Sequence, residues 1–474
     1  MPPEGRPSVA RRKSGRRIGA VALVVALLTL VASSPFLFGE SPSSRTNAEL
    51  SDGAREGDGD RGLGREPSIY SNIAFGAALC RPDAEAPTGG GGADSVPAIA
   101  RTVERLRALE FADAPEVEFM SPAELAAYVE GLAREELDDV EADVQIAALG
   151  KLGIVPDDFD VEELIADTSG QVLGLYEPQT KRLLVAGSGT LDPLEQLTVA
   201  HELDHAVTDQ VLGFPDLRWE GERSDAQLAE RALIEGDATL LMQHFGMVEF
   251  ADDLQELLAG DVSDEQIRDY QSLPHFLQRS LSFPYLEGYL FACELHATGG
   301  WDAIDRAYGD LPASTLEILY PGLYGKVDLQ EPEPTPLPGR AWQRVYLSGV
   351  GAADLQWMFE APGGTVSTTM ADAARQVARW RGGRFEIWQR QDELVIAMAI
   401  VEGADLSRSD APTLGHRWVQ WYTESQPDAT CLDGRGATGA WRVDGDVAIV
   451  ACDSGQTRFV SAPNLRIALR VARL

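Results

Sequence analysis

Thr198-Val-Ala-His-Glu-Leu-Asp-His-Ala-Val-Thr-Asp-Gln210 is the stretch on which the reading of this chain turns. Residues four apart on an α-helix stand one above the other, so His201 and His205 would present two imidazoles to one point. Glu202 lies about 100° around the same helix, beside that point rather than on it. Two imidazoles with a neighbouring carboxylate make a metal clamp with a base at its side. A hydrolytic zinc site takes three protein ligands and keeps one position for water, so a second helix must supply a carboxylate. The candidate is Glu235, in Arg231-Ala-Leu-Ile-Glu-Gly-Asp-Ala238, on the next strong helical pattern and followed by small residues that permit close packing. The apolar Leu194, Leu197, Val199 and Ala200 that lead into the motif predict a buried helix.

His201 to Asp209 resembles the zinc helix of the thermolysin-like peptidases. Glu235-Gly-Asp-Ala238 resembles the Glu-Gly-x-Ala of aminopeptidase-N-like gluzincins, and Tyr285-Leu-Glu-Gly288 is similar to the Tyr-x-x-Gly of the same enzymes. The three come in that family's order. The resemblance implies a gluzincin metallopeptidase of a bacterial branch, with Zn2+ on His201, His205 and Glu235, Glu202 as general base and Tyr285 as donor to the oxyanion. The implied fold is mainly α with a small β-sheet, a zincin-like α+β catalytic domain, followed by a C-terminal α+β domain. Arg231, one turn before Glu235, is placed to hold its carboxylate, and Asp209 is a further candidate for supporting the ligands. Thermolysin-like enzymes carry an Asp one turn after the ligand Glu. Here Thr239 stands there and Asp237 falls half a turn early, so the support must differ.

The chain has 474 residues, enough for two or three domains, and its 40 basic against 75 acidic residues give a net charge of -35. Such a surface repels nucleic acid and anionic membranes, so neither is an expected partner. The N-terminus departs from this pattern. Arg6, Arg11, Arg12, Lys13, Arg16 and Arg17 precede an apolar run from Ile18 to Phe38, so residues 1–40 read as a basic flank with a transmembrane anchor or signal segment. Pro35 directly after Ala32-Ser33-Ser34 opposes cleavage and favours an anchor, with the rest of the chain outside the cytoplasm. The membrane is then met only through this segment, and the protein is secreted if the segment is removed.

Residues 41–94, poor in large apolar side chains and ending in Thr88-Gly-Gly-Gly-Gly92, read as a disordered linker. Residues 95–328 read as the catalytic domain, 329–340 with Pro332-x-Pro-x-Pro-x-Pro338 as a stiff linker, and 341–474 as the C-terminal domain. Ile99, Val103, Leu106 and Leu109 form one helical stripe, and Ser121-Pro122-x-Glu124 opens another helix. A hairpin is expected over 171–185, then Asp192-Pro193 as the cap of the motif helix and Ser224-x-x-Gln227 as a capping box for the helix of Glu235. In gluzincins the strand before the zinc helix pairs with substrate; here that role and simple packing are both open. Ser282 and Pro284 read as the start of the helix of Tyr285, and His275 and His296 as spare candidate ligands or acids for which a structural or surface place is the favoured reading. Cys431 and Cys452, bracketing a Gly-rich segment and a hairpin pattern, are the expected disulfide, with Cys293 a buried thiol. Six of the nine Trp follow residue 350, and core packing is favoured over a ligand platform for them.

The function expected is hydrolysis of polypeptides. No Gly-Ala-Met-Glu-Asn type motif for holding a substrate amine occurs in the 171–185 hairpin, which favours endopeptidase over aminopeptidase action. Two other readings stand beside it: a surface-anchored, catalytically silent zinc protein that binds through its Trp-rich domain, and a zinc hydrolase of a non-peptide amide. Oligomeric state has no signature in the sequence.

Overall fold

Mixed α and β structure is seen in the computed structural model, which describes residues 67–72, 80 and 95–473 apart from 114, 137–138, 157, 216–220, 251–256, 258–263, 404–412, 436–437 and 454. The expected N-terminal segment 1–40 lies outside the described residues. Among those described, no helix is long and apolar enough to cross a membrane.

Helix α1 (Val96–Arg107) buries Ile99, Val103 and Leu106 as its stripe predicts. Strand β1 (Val117–Met120) and helices α2 (Pro122–Glu136), α3 (Asp139–Lys151) and α4 (Val161–Ser169) follow. The hairpin forms as β2 (Gly174–Glu177) and β3 (Arg182–Ala186), closed by Lys181 at φ 57. With β1 it makes a three-stranded sheet in the order β1-β3-β2, where β1 is parallel and β2 antiparallel to β3.

Helix α5 (Pro193–Val211) carries the histidine motif. Asp192 accepts from Glu195 N at 2.8 Å, and the Glu195 carboxylate accepts from Asp192 N at 2.9 Å, closing a capping box at its start. Helix α6 (Ser224–Glu249) carries Glu235 but lacks the expected box. Ser224 is its first residue, and its hydroxyl instead meets the Ser348 hydroxyl at 2.9 Å, a tertiary partner that a local pattern cannot disclose. After α7 (Asp264–Ser272), α8 (His275–Gly299) runs unbroken through Pro284 rather than starting near it. Helices α9 (Trp301–Gly309) and α10 (Thr315–Leu319) complete this half.

The Pro-rich segment is irregular but strapped down. Gln330 N donates to Arg381 O at 2.9 Å, Arg458 pairs with Glu333 at 3.2 Å, and Arg470 donates to Pro338 O at 2.9 Å. Beyond it come β4 (Gln343–Gly349), α11 (Ala352–Glu360), α12 (Met370–Val377), β5 (Trp380–Arg390), β6 (Glu393–Glu402) and α13 (Leu414–Ser425). Two hairpins follow where one was expected: β7 (Thr430–Arg435) with β8 (Thr438–Val443), then β9 (Asp446–Asp453) with β10 (Gln456–Ala462), ending in α14 (Leu465–Ala472). The seven strands form one antiparallel sheet in the order β4-β5-β6-β10-β9-β8-β7.

One face of that sheet packs under α14 with Trp388, Val395 and Val460. The other joins a core that includes Leu233, Phe283 and Phe291 from the first half as well as Trp357, Trp418 and Phe459. Residues 329–340 therefore mark a change of chain path across a continuous core. All six Trp after residue 350 are buried, so they are packing groups and not a binding platform.

Two expectations need correction. The disulfide is Cys80–Cys293, with Cα atoms 5.3 Å apart, while Cys431 and Cys452 are free. Cys431 lies on β7 and Cys452 on β9, with β8 between them, so their strands are about 9–10 Å apart and a bridge cannot span that distance. Nor is 41–94 a linker throughout. Ile69–Asn72 forms a 3-10 helix with Ile69 and Tyr70 buried, and the Tyr70 hydroxyl donates to Glu287 at 2.6 Å. Together with Cys80 this moors the segment to α8; the remainder of 41–94 lies outside the described residues.

Candidate metal centre

One turn of α5 separates His201 from His205, and their Nε2 atoms stand 3.1 Å apart. Glu235 Oε2 lies 3.4 Å from the first and 3.3 Å from the second. Zinc–nitrogen and zinc–oxygen bonds of about 2.05 Å make a tetrahedron whose edges are about 3.3 Å, so these three atoms already outline one face of it. This buried group can hold a metal ion, and it is the one cluster of its kind among the described residues. The donor set, two imidazoles and a carboxylate, suits a borderline ion such as Zn2+.

Charge holds the three together. Burial lowers the His205 pKa, but the Glu235 carboxylate outweighs it and raises that pKa to about 9. Burial would raise Glu235, yet His205 and the hydrogen bonds from both imidazoles bring it down to about 2. Burial drives His201 below its usual value. A proton on His205 thus does part of the work of a cation, and a metal must displace it. Because His205 keeps that proton up to about pH 9, each unit of pH lost below that point favours the proton over the metal. Zinc affinity of the metal-free protein is expected to rise about tenfold per pH unit between pH 6 and 8, with one proton released per ion, measured by competition with a chelating dye in two buffers. A pH-independent affinity would contradict it.

Glu202 stands beside the triangle, its pKa raised to about 7, chiefly by burial. Its carboxylate accepts from the backbone N–H of Tyr176 on β2. That edge group of the hairpin is thus committed to Glu202. Gly174 explains how β2 comes so close: a Cβ there would sit 2.7 Å from Thr198 Cγ2 and 2.8 Å from Glu202 Cγ.

The resemblance placed Tyr285 at the centre, and the structure brings it there. Its hydroxyl is hydrogen-bonded to Glu235, and burial followed by that carboxylate raises its pKa well above the usual value. The approach depends on two glycines. A Cβ on Gly236 would lie 2.1 Å from Gly288 O, and one on Gly288 would lie 2.2 Å from Ala232 O, so α6 and α8 cross backbone against backbone. Glu235 precedes one glycine and Tyr285 lies one turn before the other. His201, Glu202, His205, Glu235 and Tyr285 are 3%, 1%, 7%, 3% and 4% exposed, which makes this a deep centre. Arg231 is buried as well, and its charge is felt at the Tyr285 hydroxyl, where it opposes the two glutamates.

Asp209 does not reach the ligands. It accepts from the Tyr176 hydroxyl at 2.9 Å and from Phe214 N at 3.3 Å and pairs with Lys181, fastening the hairpin to α5. Asp237 turns away to the Tyr308 hydroxyl and Arg107, each at 3.0 Å. His275 pairs with Glu360 at 2.8 Å, and His296 packs on Trp301 with ring centres 4.9 Å apart, so both are structural.

Sequence reasoning missed Arg107. Its guanidinium, fully buried at the end of α1, pairs with Asp204 at 3.6 Å, Asp237 at 3.0 Å and Asp305 at 2.7 Å and lies 4.7 Å from the centre of the Trp301 ring. Asp204 sits between the two motif histidines, and Asp237 two residues after Glu235. The same short motifs that bring His201, His205 and Glu235 together in front are tied to each other behind. An arginine directly following the apolar stripe of α1 was the available signal.

Compared with known protein families, curated proteins and solved structures, the chain matches none.

Proposed function

We propose that this chain is an extracytoplasmic zinc-dependent metallopeptidase of the gluzincin type, acting within polypeptides. The observation that carries the reading is the buried His201–His205–Glu235 triangle with Glu202 beside it and outside the ligand set. A structural zinc site has four closed ligands and no use for a neighbouring base. When bound, the ion supplies Lewis acidity, making water more acidic and polarising the scissile carbonyl. Glu202, outside the ligand set, takes the proton of the attacking water and delivers it to the leaving amine. The Tyr285 hydroxyl, released from Glu235, donates to the oxyanion developing on the substrate, a contact worth about 3 kcal/mol. The Cys80–Cys293 bridge supports a location outside the cytoplasm, where disulfides persist.

The deep burial of the five side chains favours a second reading, a metal centre without turnover. One comparison separates them. The zinc-loaded protein is incubated with a mixed peptide library beside a Glu202→Gln variant of matched metal content. Internal cuts made by the first and reduced roughly 10²–10⁴-fold in the second are the expected result. Folded protein that holds one zinc and cuts nothing would support the silent centre, and release of amine from non-peptide amides alone would point to the other hydrolase.

A further inference from the structure

A chain with 40 basic and 75 acidic residues places four of its arginines around one groove. Arg340, Arg390, Arg466 and Arg470 line a cavity of about 350 Å³ between the end of the Pro-rich segment, the β5–β6 turn and the start of α14, and no lining residue is acidic. Among the described residues the one carboxylate paired with any of the four is Glu393, on Arg390. The groove is also built. The Arg390 guanidinium lies over the Trp342 ring, 4.8 Å from its centre, and Arg470 donates to Pro338 O at 2.9 Å, so two of the four forks are held in place. Asn464 caps α14 at the groove's edge by accepting from Ile467 N at 3.1 Å, and the positive end of that helix faces the same space.

We propose that this groove binds the phosphate group of a small phosphate ester. Guanidinium forks match the oxygens of carboxylates and phosphates in pairs. A single carboxylate brings one negative charge against four arginines and one glutamate, whereas a phosphate monoester brings about two. At ordinary salt all of these fields reach only about 10 Å, so an extended polyanion must also lie along the surface of a chain of net charge -35, beyond the groove. A compact dianion stays within reach of the four arginines and the one glutamate. The cavity also lies in the size range of small-ligand pockets, leaving room for a sugar-sized body beside the phosphate.

The groove is independent of the metal centre, and so is its test. The full chain is titrated by calorimetry at fixed ionic strength with glucose 1-phosphate, inorganic phosphate, free glucose, phosphatidylglycerol vesicles and poly-glutamate. Saturable one-to-one binding of glucose 1-phosphate is expected, weaker for inorganic phosphate and absent for glucose. The exposed pair Arg340→Ala/Arg466→Ala should weaken it about tenfold or more while leaving the ligand-free Tm and any peptide cleavage unchanged. Equal binding by the variant, or no saturation by either phosphate, would overturn the assignment. Tighter binding of vesicles or of poly-glutamate than of the small ester would overturn it in favour of a lipid surface or an acidic polypeptide.

Discussion

Gly288→Ala is expected to empty the metal centre although residue 288 touches no ion and no substrate. Its new Cβ would stand 2.2 Å from Ala232 O and 3.1 Å from Ala232 Cα, and Gly236 answers from the other helix with 2.1 Å to Gly288 O. These neighbours are backbone atoms of buried helices, so no side chain can swing aside and α6 must part from α8 by about 1 Å. Ordinary overpacking costs about 1–3 kcal/mol, and a clash with a helix backbone lies at or above the top of that range. The displacement falls where Tyr285 meets Glu235, so the third ligand loses its hydrogen-bonded neighbour and shifts against the two imidazoles. A lowered Tm and less than one zinc per chain after dialysis are the expected readings. Gly131→Ala is the control, because in α2 the added Cβ meets nothing within 4 Å and should stabilise by about 0.5–1 kcal/mol. Full zinc content and an unchanged Tm in Gly288→Ala would sink the argument.

That pair of glycines also shows what a sequence discloses. His201, Glu202 and His205 are legible because helical geometry alone sets their relation. Glu235 and Tyr285 are legible only with the glycine that follows each, since Gly236 and Gly288 are what allow the two helices to close. Signals of this kind are local. Cys80 and Cys293 are 213 residues apart, and no spacing rule points from one to the other. Tyr70 was hidden because a short apolar island in a polar, Gly-rich run looks like tether until its partners Glu287, Arg279 and Gln356 are in view. Ser224 had the form of a cap, yet its hydroxyl was taken by Ser348 on another element. The seven-stranded sheet was half visible: β6 carries the long apolar run Leu394 to Val401 and β5 the β-forming Phe385-Glu-Ile-Trp388 before it, whereas Thr430–Arg435 has little that reads as strand. The shared core across 329–340 follows from tertiary packing of α11 and α12 near α8, and composition cannot report it.

Arg107→Met should be the most damaging change outside the ligands themselves. The methionine fills much of the same volume but leaves Asp204, Asp237 and Asp305 facing one another with no cation. Burial alone would lower the pKa of an arginine, and the three carboxylates more than offset it, raising that of Arg107 above its usual value. Asp204 is already held well above the normal carboxylate range by burial and by Asp237. Removing one partner of a buried ion pair costs about 3–5 kcal/mol, a large share of the roughly 5–15 kcal/mol that holds a folded protein together. The sign of the pH dependence identifies the cause. Without Arg107 the Asp204 carboxyl loses the charge that lowers its pKa and stands further above its unfolded value of about 4, so the folded state binds more protons and loses stability as pH rises from there. The variant should therefore unfold at a markedly lower temperature at pH 8 than at pH 5.5, and Asp204→Asn in the same background should recover part of the loss at pH 8. Equal destabilisation at both pH values, with no gain from Asp204→Asn, would mean that Arg107 acts through its volume and its stacking on Trp301 instead. Zinc content is the second readout: α5 brings His201 and His205, α6 brings Glu235, and Arg107 is the bolt between Asp204 on the first helix and Asp237 on the second. Loosening it at pH 8 should release the metal from a centre whose ligands are all still present.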